Sequence, residues 1–316
     1  MLEKQLFASH VVLLWYCVSM ESSALIFIGI DGGGSRCRAR LRDAHGRLLG
    51  EGEGGPANIY QDFGGSAASI LAAARAATVA AGLLGPRMTE FHAGMGLAGI
   101  VLPESTGRLK AEGLPFAAIT LINDAYAACL GAHGGGDGGI VIAGTGSAGY
   151  AIVDGKGNGI GGWGFELGDD GSGAIMGREA VRRAVLSIDG LGSSSPLTEC
   201  ILADMGRDQP TLTRWARSAR PTDYARFAPD VFRFAEQEDP VAAEIVAKAV
   251  GAVFVSAQRL LQLGAPILCL LGGMAPPLLR QMSPSLRAFF VEPAADATDG
   301  AIMAARQAAG LRGDWT

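Results

Sequence analysis

Ile28-Gly29-Ile30-Asp31-Gly32-Gly33-Gly34-Ser35, followed by Arg36-Cys37-Arg38-Ala39-Arg40-Leu41-Arg42, is the stretch on which the fold turns. The apolar, β-branched run Ala24 to Ile30 predicts a buried strand, and the strict polar–apolar alternation of 36–42 predicts a half-buried one. Only a glycine turn at 31–35 separates them, so the pair reads as a hairpin, and Asp43-Ala44-His45-Gly46 turns the chain into a third strand over Arg47 to Gly50. The pattern recurs downstream. Gly139 to Ala143 predicts a buried strand, Gly144-Thr145-Gly146-Ser147 a turn, Ala148 to Val153 a strand, and Asp154-Gly155-Lys156-Gly157 a second turn. Aligned without gaps, Gly32, Gly34 and Ser35 fall on Gly144, Gly146 and Ser147. The shared order of elements marks an internal duplication more strongly than those few identities.

The chain has 316 residues, 47 of them Gly and 14 Pro, with a formal net charge of −5. Glycine is at about twice ordinary usage but has no three-residue period, which excludes collagen. A content of 49% hydrophobic residues with small net charge excludes disorder. No basic run is present, so neither nucleic acid nor an anionic membrane surface is an expected partner. Cys17, Cys37, Cys129, Cys200 and Cys269 are odd in number and scattered, without a CxxC pair. They suggest no disulfide framework and no zinc or iron–sulfur site, and they fit a reducing cytoplasm. The apolar run Val11 to Val18 is far short of the roughly 20 residues that span a bilayer. Residues 1–23 are expected to be an N-terminal extension outside the fold, with Met20 a natural start.

Consecutive backbone N–H groups at a glycine turn make an anion-binding nest, and two such nests could hold a polyphosphate from both sides; ordinary hairpin turns needing positive φ are the competing explanation. Between the hairpins the pattern predicts a helix over 65–81, strands over 91–95 and 118–122, and a helix over 125–132 opened by Asn123-Asp124. Asp124 thus sits beyond the carboxyl end of a strand, where ligands bind in open α/β sheets. After the second hairpin come a helix over 174–187 and a largely helical stretch over 196–263, with Asp239 capping a long helix that begins at Pro240. Strands follow at 266–271 and 289–291, and a terminal helix opens at Asp299-Gly300. The expected architecture is α/β, with two lobes carrying mixed sheets around a central cleft. The lobes are expected at 24–133 and 134–299, the second with a helical insertion at about 190–263. The terminal helix 300–312 is able to pack back on the first lobe, and Gly134 to Gly139 reads as a connector or a bare surface loop.

The residues expected at the cleft suit phosphoryl transfer, which needs a clamped triphosphate, a metal to neutralise charge and an acceptor hydroxyl held in line. Asp31 could hold Mg²⁺ through water, with Asp124 as a second carboxylate, since Mg²⁺ keeps several waters and takes one or two carboxylates. Asp124 could also accept the acceptor's proton.

Taken together, the residues carry a family resemblance. Ile28 to Ser35, Gly144-Thr145-Gly146-Ser147 and Leu270-Leu271-Gly272-Gly273-Met274 resemble the phosphate-1, phosphate-2 and adenosine motifs of the actin-like ATPase and sugar-kinase superfamily. More narrowly, Gly55-Pro56-Ala57-Asn58, Asn123-Asp124-Ala125 and Gly161-Gly162-Trp163-Gly164 with Gly168-Asp169-Asp170-Gly171-Ser172-Gly173 resemble the N-acetylglucosamine kinase branch of the BadF/BadG/BcrA/BcrD group. The likeness spans nearly all of residues 24–312. It implies two ribonuclease H-like lobes, Mg-ATP as cosubstrate, and phosphorylation of the 6-hydroxyl of N-acetylglucosamine or glucosamine by a homodimer. Gly32, Gly33, Gly34, Ser35, Arg36, Gly144, Thr145, Gly146 and Ser147 then match ATP-phosphate contacts, and Gly272, Gly273 and Met274 adenosine contacts. Asp124 is the implied base; Asn58, Thr145, Gly146, Gly162, Trp163 and Asp169, with Asp124, match sugar contacts. Simpler roles compete at several of these: a turn cap for Asn58, a core aromatic for Trp163, a helix-dipole charge for Asp169 and an N-cap for Asp124.

The chain departs from the family pattern at three places. Ser35-Arg36-Cys37 replaces a Thr or Ser followed by Lys and Thr, Asp170 replaces a Glu, and Ala98 stands where a Ser often contacts sugar. These leave phosphoryl transfer intact and the choice of amino sugar open. Two other functions are considered. An activator of a 2-hydroxyacyl dehydratase binds an iron–sulfur cluster through cysteines, which Cys129, Cys200 and Cys269 do not cluster to provide. A sugar-responsive regulator needs an N-terminal helix-turn-helix, for which 1–23 is too short.

Overall fold

A computed structural model describes residues 25–83, 87–100, 107–109 and 113–311. The expected extension at 1–23 lies outside the described residues, as do Ala24 and Arg312. Contacts divide the chain into two units, one running to Gly136 and resuming at Ala294, the other covering Asp137–Pro293.

In the first unit, strands β1 (Ile26–Gly32), β2 (Cys37–Asp43) and β3 (Leu48–Gly54) form an antiparallel meander. Strands β4 (Phe91–Leu97) and β5 (Ala118–Asn123) add in parallel, giving the order β3-β2-β1-β4-β5. Helix α1 (Phe63–Ala80) begins two residues before the expected start, because Asp62 caps it by accepting the Gly65 N–H at 3.0 Å. Strand β3 runs on to Gly54 rather than stopping at Gly50. Its alternate residues Gly50, Gly52 and Gly54 lie against α1 so closely that a Cβ on any of them would strike the backbone carbonyl of Ala77, Ala73 or Ser69. Helix α2 (Asp124–Ala132) follows β5 directly.

The second unit repeats the design. Strands β6 (Gly138–Ala143), β7 (Ser147–Val153) and β8 (Lys156–Gly161) form a meander, and β9 (Leu268–Leu271) pairs in parallel with β6, in the order β8-β7-β6-β9. The stretch expected to be largely helical divides into α4 (Pro196–Met205), α5 (Gln209–Ser218), α6 (Pro221–Ala225), α7 (Ala228–Glu236) and α8 (Pro240–Gln262), behind α3 (Gly173–Ile188). Asp239 caps α8 through the Ala242 N–H and also accepts the Leu197 N–H of α4, both at 2.9 Å. Burial opposes its ionisation, but these amide donors outweigh it and hold the carboxyl below the usual range. Val241, Ile245, Val246, Ala249, Val253 and Leu260 of α8 join the buried core with Val141 of β6 and Leu268 and Leu270 of β9. Helices α1 and α8 are apolar and long enough to cross a bilayer by length and composition, yet each sends a row of residues into a protein core. After α9 (Ala275–Gln281) and α10 (Pro284–Arg287), the strand expected at 289–291 is reduced to a single bridge between Phe290 and Leu268.

Helix α11 (Ala297–Ala308) returns to the first unit and starts earlier than the expected Asp299-Gly300, because Asp296 is its cap. It packs on β1, β4 and α2 through facing glycines. A Cβ at Gly29, Gly94 or Gly300 would overlap the carbonyl oxygen of Thr298, Ala301 or Ala127 respectively.

Candidate active site

In the first unit the candidate residues collect at the carboxyl ends of β1, β4 and β5. Backbone bonds from Ala98 N–H to Gly32 O (2.8 Å), Ala57 N–H to Gly33 O (2.8 Å) and Ile59 N–H to Ala98 O (3.2 Å) tie the β1 and β4 ends to the loop that carries Asn58. Asn123, not Asp124, caps α2: its side chain accepts the Tyr126 N–H at 2.5 Å. Asp124 is therefore the first helical residue, its Oδ1 accepting the Ala125 N–H at 2.9 Å. Its side chain is open to solvent on one side, while the surrounding protein removes enough water elsewhere to push its pKa above the usual aspartate range. The negative charge of Asp31 adds to that rise and the nearby amides oppose it. Asn58 Oδ1 does serve as a turn cap, accepting the Tyr60 and Gln61 N–H groups at 3.1 and 3.3 Å. Among the described residues its Nδ2 has no hydrogen-bond partner.

Asp31 is not a lone carboxylate. Arg38 Nη2 and Nε donate to its Oδ2 at 2.7 and 3.3 Å, and among the described residues no protein donor reaches Oδ1. No three His, Cys, Asp or Glu side chains cluster as a metal cage among the described residues. A divalent cation would have at most Asp31 and Asp124 as carboxylates here, the rest of its shell coming from water and phosphate. This donor set fits Mg²⁺.

In the second unit three segments are bound into one piece. Gly173 N–H at the start of α3 donates to Gly144 O (2.8 Å), Ala174 N–H to Thr145 O (3.2 Å), and Met274 N–H to Ala143 O (3.0 Å). The 144–147 turn, the N-terminus of α3 and the 272–274 segment thus meet at the ends of β6 and β9. Ser147 Oγ donates to the Asp170 carbonyl at 2.9 Å. Asp169 is held at φ 62°, and its carboxylate lies over Gly146, with Oδ2 2.8 Å from where a Cβ would stand. The loop before it is anchored by Phe165, which packs on Tyr224 and under Arg178, with centroid separations of 5.3 and 4.9 Å. Trp163 is 75% exposed, so it is no core aromatic. Gly162 beside it is left-handed at φ 71°.

The glycines separate into two kinds. Gly32 is bound by packing, since a Cβ there would come within 2.6 Å of Leu97, and Gly272 by its φ of 96°. Gly33, Gly34, Gly144 and Gly273 have ordinary φ, and a Cβ on any of them meets no protein atom closer than 3.9 Å. The N–H groups of Gly33 and Gly144 close their turns onto Arg36 O (3.0 Å) and Gly146 O (2.9 Å), leaving the following amides, Gly34 with Ser35 and Thr145 with Gly146, unbonded among the described residues. Ser35, Arg36 and Thr145 are exposed beside them.

The sequence profile of the BadF/BadG/BcrA/BcrD ATPase family matches residues 28–305. The chain belongs to that family. It is 37% identical over 277 residues to glucosamine kinase GspK of Vibrio cholerae, covering 88% of this chain and 94% of that one. It is also 33% identical over 180 residues to the N-acetylmuramic acid/N-acetylglucosamine kinase of Clostridium acetobutylicum, covering 55% of this chain and 58% of that one. A solved structure from Chromobacterium violaceum, provisionally named an N-acetylglucosamine kinase, superposes with TM-score 0.82 at 34% identity over 90% of this chain and 99% of that one. The ROK hexokinase of Thermus thermophilus, at TM-score 0.55 and 19% identity over 90% of this chain and all of that one, shares the fold. As an ATPase-family member the chain uses ATP.

One part of the site is absent from the sequence reading. Arg38, Arg40 and Arg42 stand on alternate positions of β2 and bond to Asp31, Asp296 and Asp299. The alternation of three arginines was visible, but partners more than 250 positions away were not.

Proposed function

We propose that the chain is an ATP-dependent amino-sugar kinase that phosphorylates the 6-hydroxyl of glucosamine or N-acetylglucosamine. The observation that carries the nucleotide half is the set Gly33, Gly34, Gly144 and Gly273, which neither backbone conformation nor packing requires to be glycine. A ligand approaching exposed amides supplies the missing reason. The phosphates are assigned to the 33–36 and 144–147 turns and adenosine to 272–274. The amino-sugar half is supported by the names of the relatives above and by residues suited to a sugar: Asn58 with its Nδ2 unspent, Trp163 as an apolar wall, and Asp169 over Gly146.

Asp124 acts as general base. Its raised pKa makes it a better proton acceptor than an ordinary aspartate, while solvent access leaves it reachable by a hydroxyl. Mg²⁺, when bound, neutralises charge on the transferred phosphoryl group. Asp31 Oδ1 and Asp124 are its assigned carboxylates. The same reading makes the protein a cytoplasmic homodimer.

ADP release measured with glucosamine, N-acetylglucosamine, N-acetylmannosamine, muramic acid and glucose tests this reading. Selective turnover with glucosamine or N-acetylglucosamine is the expected result. A flat response to every sugar refutes it.

A further inference from the structure

Asp31 and Arg38 are directly opposite each other in the antiparallel pairing of β1 and β2, so their side chains share one face of the sheet. Arg38 spends two nitrogens on a single carboxylate oxygen, Asp31 Oδ2, at 2.7 and 3.3 Å. Arg42, further along the same face, behaves differently. It grips both oxygens of Asp299, Nε on Oδ1 at 2.7 Å and Nη2 on Oδ2 at 2.9 Å. A carboxylate held by both oxygens has little left to offer a ligand, whereas Asp31 is fixed in place and keeps Oδ1. Arg38 is itself braced, with Nη1 on Asp296 Oδ2 at 3.4 Å. Asp296 is held in turn by Arg40 at 2.9 and 3.1 Å and by the Asp299 N–H it caps at 3.1 Å. The brace therefore runs from the first turn of α11 to the carboxylate at the end of β1.

We propose that Arg38 is a positioning residue for nucleotide binding: it clamps Asp31 through Oδ2 and so presents Oδ1 to the hydrated Mg²⁺ of Mg-ATP. The inference rests on the kinase reading above. Arg42, with the same residue type and strand, does purely structural work and is the internal control. Lysine would not substitute fully, because its compact, freely rotating ammonium lacks the rigid planar fork that sets two nitrogens on Oδ2 and a third on Asp296.

The test is calorimetric titration of the full-length chain with a non-hydrolysable ATP analogue across a range of Mg²⁺ concentrations, with melting curves of the apoprotein alongside. Arg38→Gln is expected to raise the Mg²⁺ needed for half-maximal nucleotide binding by about tenfold, in the range that loss of an outer partner costs a metal site. Binding without Mg²⁺ stays unchanged. Arg38→Met keeps the stem packing and shows the same displacement, should Gln perturb the fold. Arg42→Gln lowers the melting temperature and leaves the Mg²⁺ requirement at the wild-type value. A wild-type Mg²⁺ requirement in folded Arg38→Gln and Arg38→Met overturns the proposal, as does an equal displacement in Arg42→Gln. Asp31→Asn separates the levels. If it displaces the Mg²⁺ requirement and the Arg38 variants do not, only the positioning role fails; if it too is silent, the metal role assigned to Asp31 fails.

Discussion

Replacing Gly34 with Ala separates the demands of the fold from those of the ligand. A Cβ at Gly34 meets nothing within 4 Å, and its backbone is outside the left-handed region. Alanine there costs neither contact nor strain, and by restricting the unfolded chain it stabilises by about 0.4–1 kcal/mol. At about 2–4 °C per kcal/mol for a unit of this size, melting should stay unchanged or rise by about 1–4 °C. On the proposed assignment of phosphate to the 33–36 turn, the same methyl group would hinder a phosphate oxygen approaching the Gly34 and Ser35 amides. Loss of one hydrogen bond to a charged group, about 1.5–3 kcal/mol, corresponds to on the order of ten- to a hundredfold in affinity. The assay pairs thermal melting of the apoprotein with calorimetric titration of Mg-ADP. Gly29→Ala is the contrasting variant, because its Cβ would overlap the Thr298 carbonyl and it should fail by instability. A Gly34→Ala protein that melts several degrees lower, or that binds nucleotide as wild type does, refutes the reasoning.

Asp124→Asn is expected to reduce sugar phosphorylation on the order of 10²- to 10⁴-fold, with nucleotide binding in the absence of Mg²⁺ kept; near-normal turnover would remove the base assignment. The same variant carries a pH signature. The folded pKa of Asp124 lies above its unfolded value, so the native carboxyl favours folding at low pH and loses that contribution as pH rises through the folded pKa. Asp124→Asn should therefore be more stable than wild type at pH 7, with the gain shrinking towards about pH 4, as denaturation curves across pH will check. Thr298 is 1% exposed and its Oγ1 has no hydrogen-bond partner among the described residues, so Thr298→Val should raise stability by roughly 1 kcal/mol. A fall in melting temperature would show that the hydroxyl is satisfied by water. Trp163→Ala, at a 75% exposed position, should raise the KM for sugar and leave melting unchanged; the reverse pattern would assign Trp163 to the framework.

Much of the candidate site's local structure was legible because its parts are local. Strand, glycine turn and strand can be read within fifteen residues, and Asn123-Asp124 announces both a strand end and a helix start. What escaped was set by distant partners. The cap of α11 lies at Asp296 rather than at Asp299 because Asp296 accepts the Asp299 N–H and is also held by Arg40, and neither fact leaves a mark near residue 296. Strand β3 outruns its expected end at Gly50 because glycine, which weakens an isolated strand, here at Gly50, Gly52 and Gly54 lets α1 lie on the sheet. The division of labour between Asn123 and Asp124 was likewise hidden. Either residue type caps a helix, and only the geometry shows Asn123 taking that role and Asp124 standing as the first helical residue.

The glycine excess follows from two opposite requirements that composition cannot separate. At Gly29, Gly94, Gly131 and Gly300 a side chain is forbidden by a neighbouring backbone, so these positions make close helix packing and would be glycine in the absence of any ligand. At Gly33, Gly34, Gly144 and Gly273 the protein forbids nothing. Gly64 and Gly251 share that freedom, but both lie within helices, where successive amides are committed to the helix or its cap. Alanine at those two should be stabilising, with no effect on nucleotide binding. The free glycines at strand ends differ because amides unbonded among the described residues follow two of them directly, at Gly34 with Ser35 and at Thr145 with Gly146. On the proposed nucleotide reading a methyl group there would meet the ligand, so the two classes should respond to alanine in opposite ways: one loses the fold and keeps no function to measure, the other keeps the fold and loses the nucleotide.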